Sequence, residues 1–100
     1  TDYHVETAEN GFDALKACRK KNYSAFCVDI LMPLMDGYEF VERLRRIGIY
    51  QKVPVFLITG NVVDHARIAN LNITQVIQKP VNGDELIAQL DHQLLKKVEA

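Results

Sequence analysis

The stretch Ala25–Gly37, A-F-C-V-D-I-L-M-P-L-M-D-G, decides the fold. Its first half is apolar apart from Asp29: Ala25, Phe26, Cys27, Val28, Ile30 and Leu31 run on without polar alternation over the length of one strand. A run of that kind suits a strand buried on both faces, as in parallel sheets. A carboxylate at the end of such a strand is costly unless it is solvated, paired or bound to a cation. Pro33 stops the strand, and Asp36-Gly37 opens a helix. Asp29 is therefore expected where a parallel strand gives way to a loop, which is where open α/β sheets place their chemistry.

On either side of this stretch the pattern alternates between strand and helix. Tyr3–Ala8 alternates and carries Val and Thr, so an edge strand is expected there. Asn10 is the expected N-cap of a helix running to about Lys21, with Ala14, Leu15 and Cys18 inward. Arg19-Lys20-Lys21 read as the solvated end of that helix, complementing its dipole. After the central strand, Asp36 caps a second helix with Glu39 three positions on, and Met35 and Phe40 are spaced as a hydrophobic staple. Phe40, Val41, Leu44 and Ile47 form its stripe, and Gly48 ends it. Glu39, Glu42, Arg43, Arg45 and Arg46 read as a solvated face of that helix, paired at i,i+3 and i,i+4 spacing.

Val53–Thr59 reads as a second buried strand, its Pro54 at the start where a missing N–H is tolerated. Asn61–Asn70 reads as a weaker helix with Val62, Val63, Ala66 and Ala69 inward. Thr74–Lys79 is a short, more polar strand ending at Pro80. Asn82 with Glu85 forms another capping box, Val81 with Leu86 another staple, and Leu86, Ile87, Leu90 and Leu94 carry the last helix. The order β-α-β-α-β-α-β-α argues for a parallel sheet with right-handed crossovers.

One hundred residues, 48% hydrophobic and 25% charged, make one ordinary globular domain over residues 1–100 and exclude disorder. A net charge of −1 offers no general attraction for nucleic acid or anionic membranes. No apolar run approaches the ~20 residues of a membrane span. The N-terminus shows no basic-then-apolar export signal, so a cytoplasmic location is expected, with Cys18 and Cys27 as free thiols. His4, His65 and His92 lack ligand-like spacing.

In a parallel sheet every strand points the same way. Asp29, Thr59 and Lys79 stand at the C-terminal ends of three different strands, so a carboxylate, a hydroxyl and an ammonium should converge on one edge. That combination points to an anionic ligand or intermediate. Lys79 can pair with Asp29 at rest or with a phosphoryl group, and Thr59 can donate to the same oxygens. Asp29 is either nucleophile or metal ligand.

The motifs V-D-I-L-M-P-L-M-D-G (Val28–Gly37), I-T-G (Ile58–Gly60), Q-K-P (Gln78–Pro80) and T-A-E-N-G-F-D-A-L (Thr7–Leu15) resemble the receiver domain of two-component response regulators and hybrid histidine kinases. The resemblance implies a flavodoxin-like three-layer fold, with Asp29 as phosphoacceptor for a histidine kinase or phosphotransfer protein. It implies that Thr59 binds the phosphoryl group, that Lys79 pairs with its oxygens, and that the Lys79–Pro80 bond is cis. Asp29 and the backbone carbonyl of Leu31 would face Mg²⁺. It also implies that the helix from Asn61 and the strand Thr74–Lys79 form a partner or dimer surface. An aspartyl-phosphate phosphohydrolase usually carries a second Asp two positions after its nucleophile. Leu31 stands there, so an enzyme is not expected.

The match departs from the family in two places. The aromatic often found three residues before the Lys is Val76 here. The chain begins at the family's second strand, so four strands are expected, without the acidic pair that holds Mg²⁺ and with a weak or absent metal site. Three arrangements are open: the first βα unit is cut away or resides in another polypeptide, a second copy fills the gap, or Tyr3–Ala8 slides beside the central strand. The apolar face left open implies a homo-oligomer. A receiver-like interaction scaffold that is never phosphorylated is the alternative.

Overall fold

The computed structural model describes residues 3–99, with side chains described through residue 94. Three parallel strands, β1 (Phe26–Asp29), β2 (Val55–Thr59) and β3 (Gln75–Gln78), lie side by side in that order. The helices are α1 (Gly11–Cys18), α2 (Gly37–Leu44), α3 (His65–Asn70) and α4 (Gly83–Glu99), with a 3₁₀ turn at Gly48–Tyr50. Register pairs Val28 with Leu57 and Asp29 with Ile58, then Ile58 with Ile77 and Thr59 with Gln78. The three strands therefore end at one level.

Burial explains the sheet. β2 is the central strand, with Val55, Phe56 and Leu57 fully buried, as an unbroken apolar run requires. α2 lays Phe40, Val41 and Leu44 against it, and Met35 and Tyr38 join the same core. Side-chain caps start α1, α2 and α4 where the sequence places them. The Asn10 carbonyl oxygen accepts from the Asp13 amide at 2.9 Å, and an Asp36 carboxylate oxygen accepts from the Glu39 amide at 2.9 Å. The Asn82 side chain accepts from the amides of Asp84 and Glu85. Cys18 and Cys27 are free thiols, and burial pushes the Cys18 thiol up.

Four expectations are corrected. The described residues form three strands, not four, because Tyr3–Ala8 pairs with no ladder. Alternation prepares a segment for a sheet, but a strand exists only where a neighbouring edge accepts its backbone. Side chains hold the segment instead. Glu6 takes the Lys21 ammonium at 3.1 Å and the Tyr23 hydroxyl at 3.2 Å, and the Tyr3 hydroxyl donates to Asp91. Nor does the segment slide beside β1; a groove of about 890 Å³ is lined by both, with Ala14, Val28 and Leu90 among its walls.

For the same reason β1 is not buried on both faces: Val28 is buried, but Cys27 is exposed and also lines that groove. The third correction concerns α3. It begins at His65 rather than Asn61, because Asp64 is its cap, accepting from the Arg67 amide at 3.1 Å. The later start rotates its inner face, leaving Val62, Ala66 and Ala69 exposed and turning Arg67 and Ile68 inward.

The fourth is Arg45, which does not lie on a solvated face. Its guanidinium donates to the carbonyl oxygens of Tyr50, Val53, Leu71 and Asn72 at 2.9, 2.7, 3.0 and 2.8 Å. Tyr50 works beside it. Its buried hydroxyl accepts from the Tyr23 amide and donates to the Lys21 carbonyl, and its ring packs edge-on to Phe26 at 5.3 Å. These two residues knit the segments entering the sheet.

Candidate functional site

Asp29 closes β1, and its side chain is 38% exposed. One carboxylate oxygen accepts from the Leu31 amide at 3.0 Å, and the other receives the Lys79 ammonium at 2.7 Å. Lys79 reaches it from the end of β3, across the intervening β2, because β3 ends level with Asp29; the Lys79–Pro80 bond that follows is cis. The Lys79 ammonium holds the Asp29 carboxyl below the usual carboxylate range; partial burial opposes this and the Leu31 amide adds to it. Asp29 is thus an accessible carboxylate, held toward its ionised form by a cation beside it.

Thr59 closes β2 between them, and at 2% exposure it is, tyrosines apart, the only buried polar side chain among the described residues. Its backbone carbonyl accepts the Lys79 amide at 2.9 Å, which fixes the two residues as neighbours. Its hydroxyl oxygen accepts the Asn61 amide at 2.9 Å and also lies 3.4 Å from the Asn61 carbonyl. The structure therefore brings Asp29 and Lys79 into direct contact and sets Thr59 on the adjoining strand end, its hydroxyl turned to the following loop.

Gly37 determines how closely α2 approaches this edge. Its amide donates to the Ile30 carbonyl at 2.8 Å, and a Cβ there would lie 2.6 Å from the Asp29 carbonyl oxygen and 2.8 Å from the Ile30 Cα. Only glycine permits that approach. The intervening loop carries Leu34 at φ 70°, in the left-handed region. Leu31, Leu34 and Val62 are 71%, 78% and 95% exposed, giving the loops around the site an apolar rim.

A divalent cation of the Mg²⁺ class needs several oxygen ligands. Among the described residues no three His, Cys, Asp or Glu side chains lie together in a way that could hold a metal. Asp29 with the expected Leu31 carbonyl is too small a donor set, so the described residues do not fit Mg²⁺. His4, His65 and His92 are all exposed. No described helix is long and apolar enough to cross a membrane.

Sequence reasoning missed Tyr38. It is 8% exposed, and its hydroxyl oxygen accepts the Asp64 amide at 3.0 Å. The Arg67 guanidinium lies 4.5 Å from its ring centroid and 2.9 Å from a Glu42 carboxylate oxygen. The Asp-Gly-Tyr run marked a helix start, but nothing local pointed to a partner 26 residues away.

The sequence model of the response regulator receiver domain matches residues 1–91. A probable transcriptional regulator, ycf29, of Porphyra purpurea is 30% identical over 96 residues, covering 94% of this chain and 46% of the relative. The chain spans less than half the length of this and similar curated relatives. Among solved structures, the Vibrio cholerae chemotaxis protein CheY4 superposes with a TM-score of 0.84 at 29% identity, covering 91% of this chain and 78% of that one. The receiver domain of a Pseudomonas aeruginosa sensor histidine kinase shares the fold, with a TM-score of 0.79 at 24% identity and coverage of 90% and 75%. That structure carries a magnesium ion in its active site cleft.

Proposed function

This chain belongs to the response regulator receiver domain family, and on that premise we propose that Asp29 accepts a phosphoryl group from a phosphohistidine on a histidine kinase or phosphotransfer protein. The observation that carries the reading is the 2.7 Å contact between Asp29 and Lys79, which puts a counter-charge beside an ionised carboxylate at an open sheet edge. Phosphoryl transfer asks chiefly for in-line positioning and neutralisation of charge. An Asp29 oxygen attacks phosphorus, and the new P–O bond forms as the P–N bond to the donor imidazole breaks. The departing nitrogen takes the electron pair, and a proton on the other ring nitrogen leaves the imidazole neutral. The product is an acyl phosphate. Lys79 stays with the added phosphoryl oxygens, and the Thr59 hydroxyl turns from Asn61 to donate to one of them.

The exposed Leu31, Leu34 and Val62 support a donor presented by a protein surface, since apolar side chains grouped at a charged site favour a macromolecular partner. In this reading the chain is a signalling module and not a turnover enzyme. Incubation with acetyl phosphate or beryllofluoride, with and without Mg²⁺, should give a mass gain or amide shifts at Asp29 that vanish in Asp29→Asn. Wild-type protein that shows neither response overturns the reading.

One observation favours a second reading. The groove between β1 and the Tyr3–Ala8 segment leaves an apolar edge uncovered among the described residues. It supports a scaffold that associates with a second copy of itself, with no phosphorylation required. Sedimentation should then show a concentration-dependent oligomer; a monomer up to millimolar concentration overturns self-association.

A further inference from the structure

We propose that Tyr38 is a positioning residue that ties the conformation of Thr59 to the seating of α3 on α2. The trigger rests on the phosphoacceptor reading above, but the coupling itself belongs to the resting protein.

Five residues, Gly60 to Asp64, join Thr59 to α3. The loop is pinned at both ends by hydroxyl oxygens. At its start the Thr59 hydroxyl accepts the Asn61 amide at 2.9 Å. At its end the Tyr38 hydroxyl accepts the Asp64 amide at 3.0 Å. Gly60, Asn61 and Val62 between them are exposed, so packing does little to hold the middle. Each pin traces back to the site. The first is the side chain of Thr59. The second stands one residue after Gly37, whose amide is bonded to Ile30 and which leaves no room for a Cβ against the Asp29 backbone.

α3 is six residues long and buries none of its side chains fully. Its C-terminal end is held by Ile68 against the core and by Arg45 on the carbonyls of Leu71 and Asn72. Its N-terminal end is tied to α2 by the Asp64–Tyr38 bond, Arg67 over the Tyr38 ring and Arg67 on Glu42. Tyr38 takes part in two of the three, and it is nearly buried while α3 is not. The N-terminal end of so short a helix sits at the low end of local stability, where small changes in its tether alter its position. A Thr59 hydroxyl that turns to a phosphoryl oxygen on Asp29 releases the Asn61 amide and loosens the loop at one end. The Tyr38 end then decides whether α3 follows. The exposed residues His65, Ala66, Ala69 and Asn70 would display that change to a partner.

Amide hydrogen exchange across residues 64–70 of the full chain tests the coupling without any phosphoryl analogue. Tyr38→Phe keeps the ring and its Arg67 contact but removes the acceptor. Thr59→Ala removes the other pin. Each should speed exchange at Asp64 and Arg67 several-fold, and the double variant should show clearly less than the product of the two factors. Multiplicative effects, or a Tyr38→Phe chain indistinguishable from wild type, overturn the proposal. A second arm adds beryllofluoride. In Tyr38→Phe the shifts at Asp29 and Lys79 should persist while those across α3 fall to less than half. Undiminished α3 shifts also overturn the coupling. Absence of any adduct in the wild type overturns the phosphoacceptor reading, and the exchange data still decide the coupling.

Discussion

Where β2 and β3 begin, the Arg45 guanidinium gathers the carbonyls of Tyr50, Val53, Leu71 and Asn72, and the buried Tyr50 hydroxyl bridges Tyr23 and Lys21. Where the strands end, Asp29 and Lys79 meet with 38% and 46% of their side chains exposed, and the loops beside them are open. Both ends use a cation, but for different tasks. At the entry end it satisfies backbone oxygens that would otherwise lose water without replacement. At the exit end it faces a carboxylate that water also reaches, so the pair can be exchanged for another anion at small cost. Stability is concentrated at one end and the proposed chemistry at the other. A domain built this way can alter its ligand state without risking its fold.

Arg45→Ala should break the comparison most sharply. It strands several carbonyls in partly buried positions, and a loss of about 3 kcal/mol is expected, read as a lower urea midpoint with an unchanged slope. Arg45→Lys should recover only a part, because an ammonium cannot span four acceptors as the planar guanidinium does. Gly37→Ala comes next. Its Cβ has to displace the backbone of Asp29 and Ile30, at a cost of about 2 kcal/mol. Unlike Arg45→Ala it should also shift the amide signals of Asp29 and Leu31. Tyr50→Phe keeps the aromatic packing and loses both hydroxyl bonds, for about 1 kcal/mol. A Tyr50→Phe protein as unstable as Arg45→Ala would show that the hydroxyl bridge, not the guanidinium, sets the entry end.

These differences also mark what the sequence disclosed. β1 and β2 were legible because an unbroken apolar run of strand length, closed by a proline or a glycine, suits a parallel sheet and little else. Asp29, Thr59 and Lys79 followed from parallel strand ends, and the receiver motifs pointed to the same three residues. Arg45 was illegible because a charged residue on a helix looks the same whether it faces water or backbone oxygens. Its acceptors come from segments up to 27 residues away that only the fold assembles. Tyr38 was missed for that reason too. α3 was misplaced because Val62, Val63, Ala66 and Ala69 carry a helical stripe, whereas the Asp64 carboxylate takes the Arg67 amide and starts the helix later. Tyr3–Ala8 carries strand periodicity, but periodicity specifies faces and leaves the partner edge undetermined.

The smallest expected effect separates the two ends by pH. The Lys79 ammonium lowers the Asp29 pKa, so the folded protein binds fewer protons than the unfolded chain in the acid range. The resulting stability is fully present above the ordinary aspartate pKa of about 3.9 and is lost as pH falls through the lower folded value. Exposure of both side chains keeps it small and sensitive to salt. Glu6 is lowered by Lys21 in the same direction, so the informative quantity is the difference between wild type and Lys79→Met, which leaves Glu6 untouched. That difference should shrink as the solution is acidified below about pH 4 and in molar salt. The Arg45 clamp has no group that titrates there, since carbonyls carry no proton and Arg45 stays charged in acid even though burial lowers its pKa. Arg45→Ala should therefore displace the whole stability–pH curve downward without changing its shape. An Arg45→Ala curve that converges on wild type in acid, or a Lys79→Met curve that runs parallel to it, would mean that charge and structure are not divided between the two ends of the sheet.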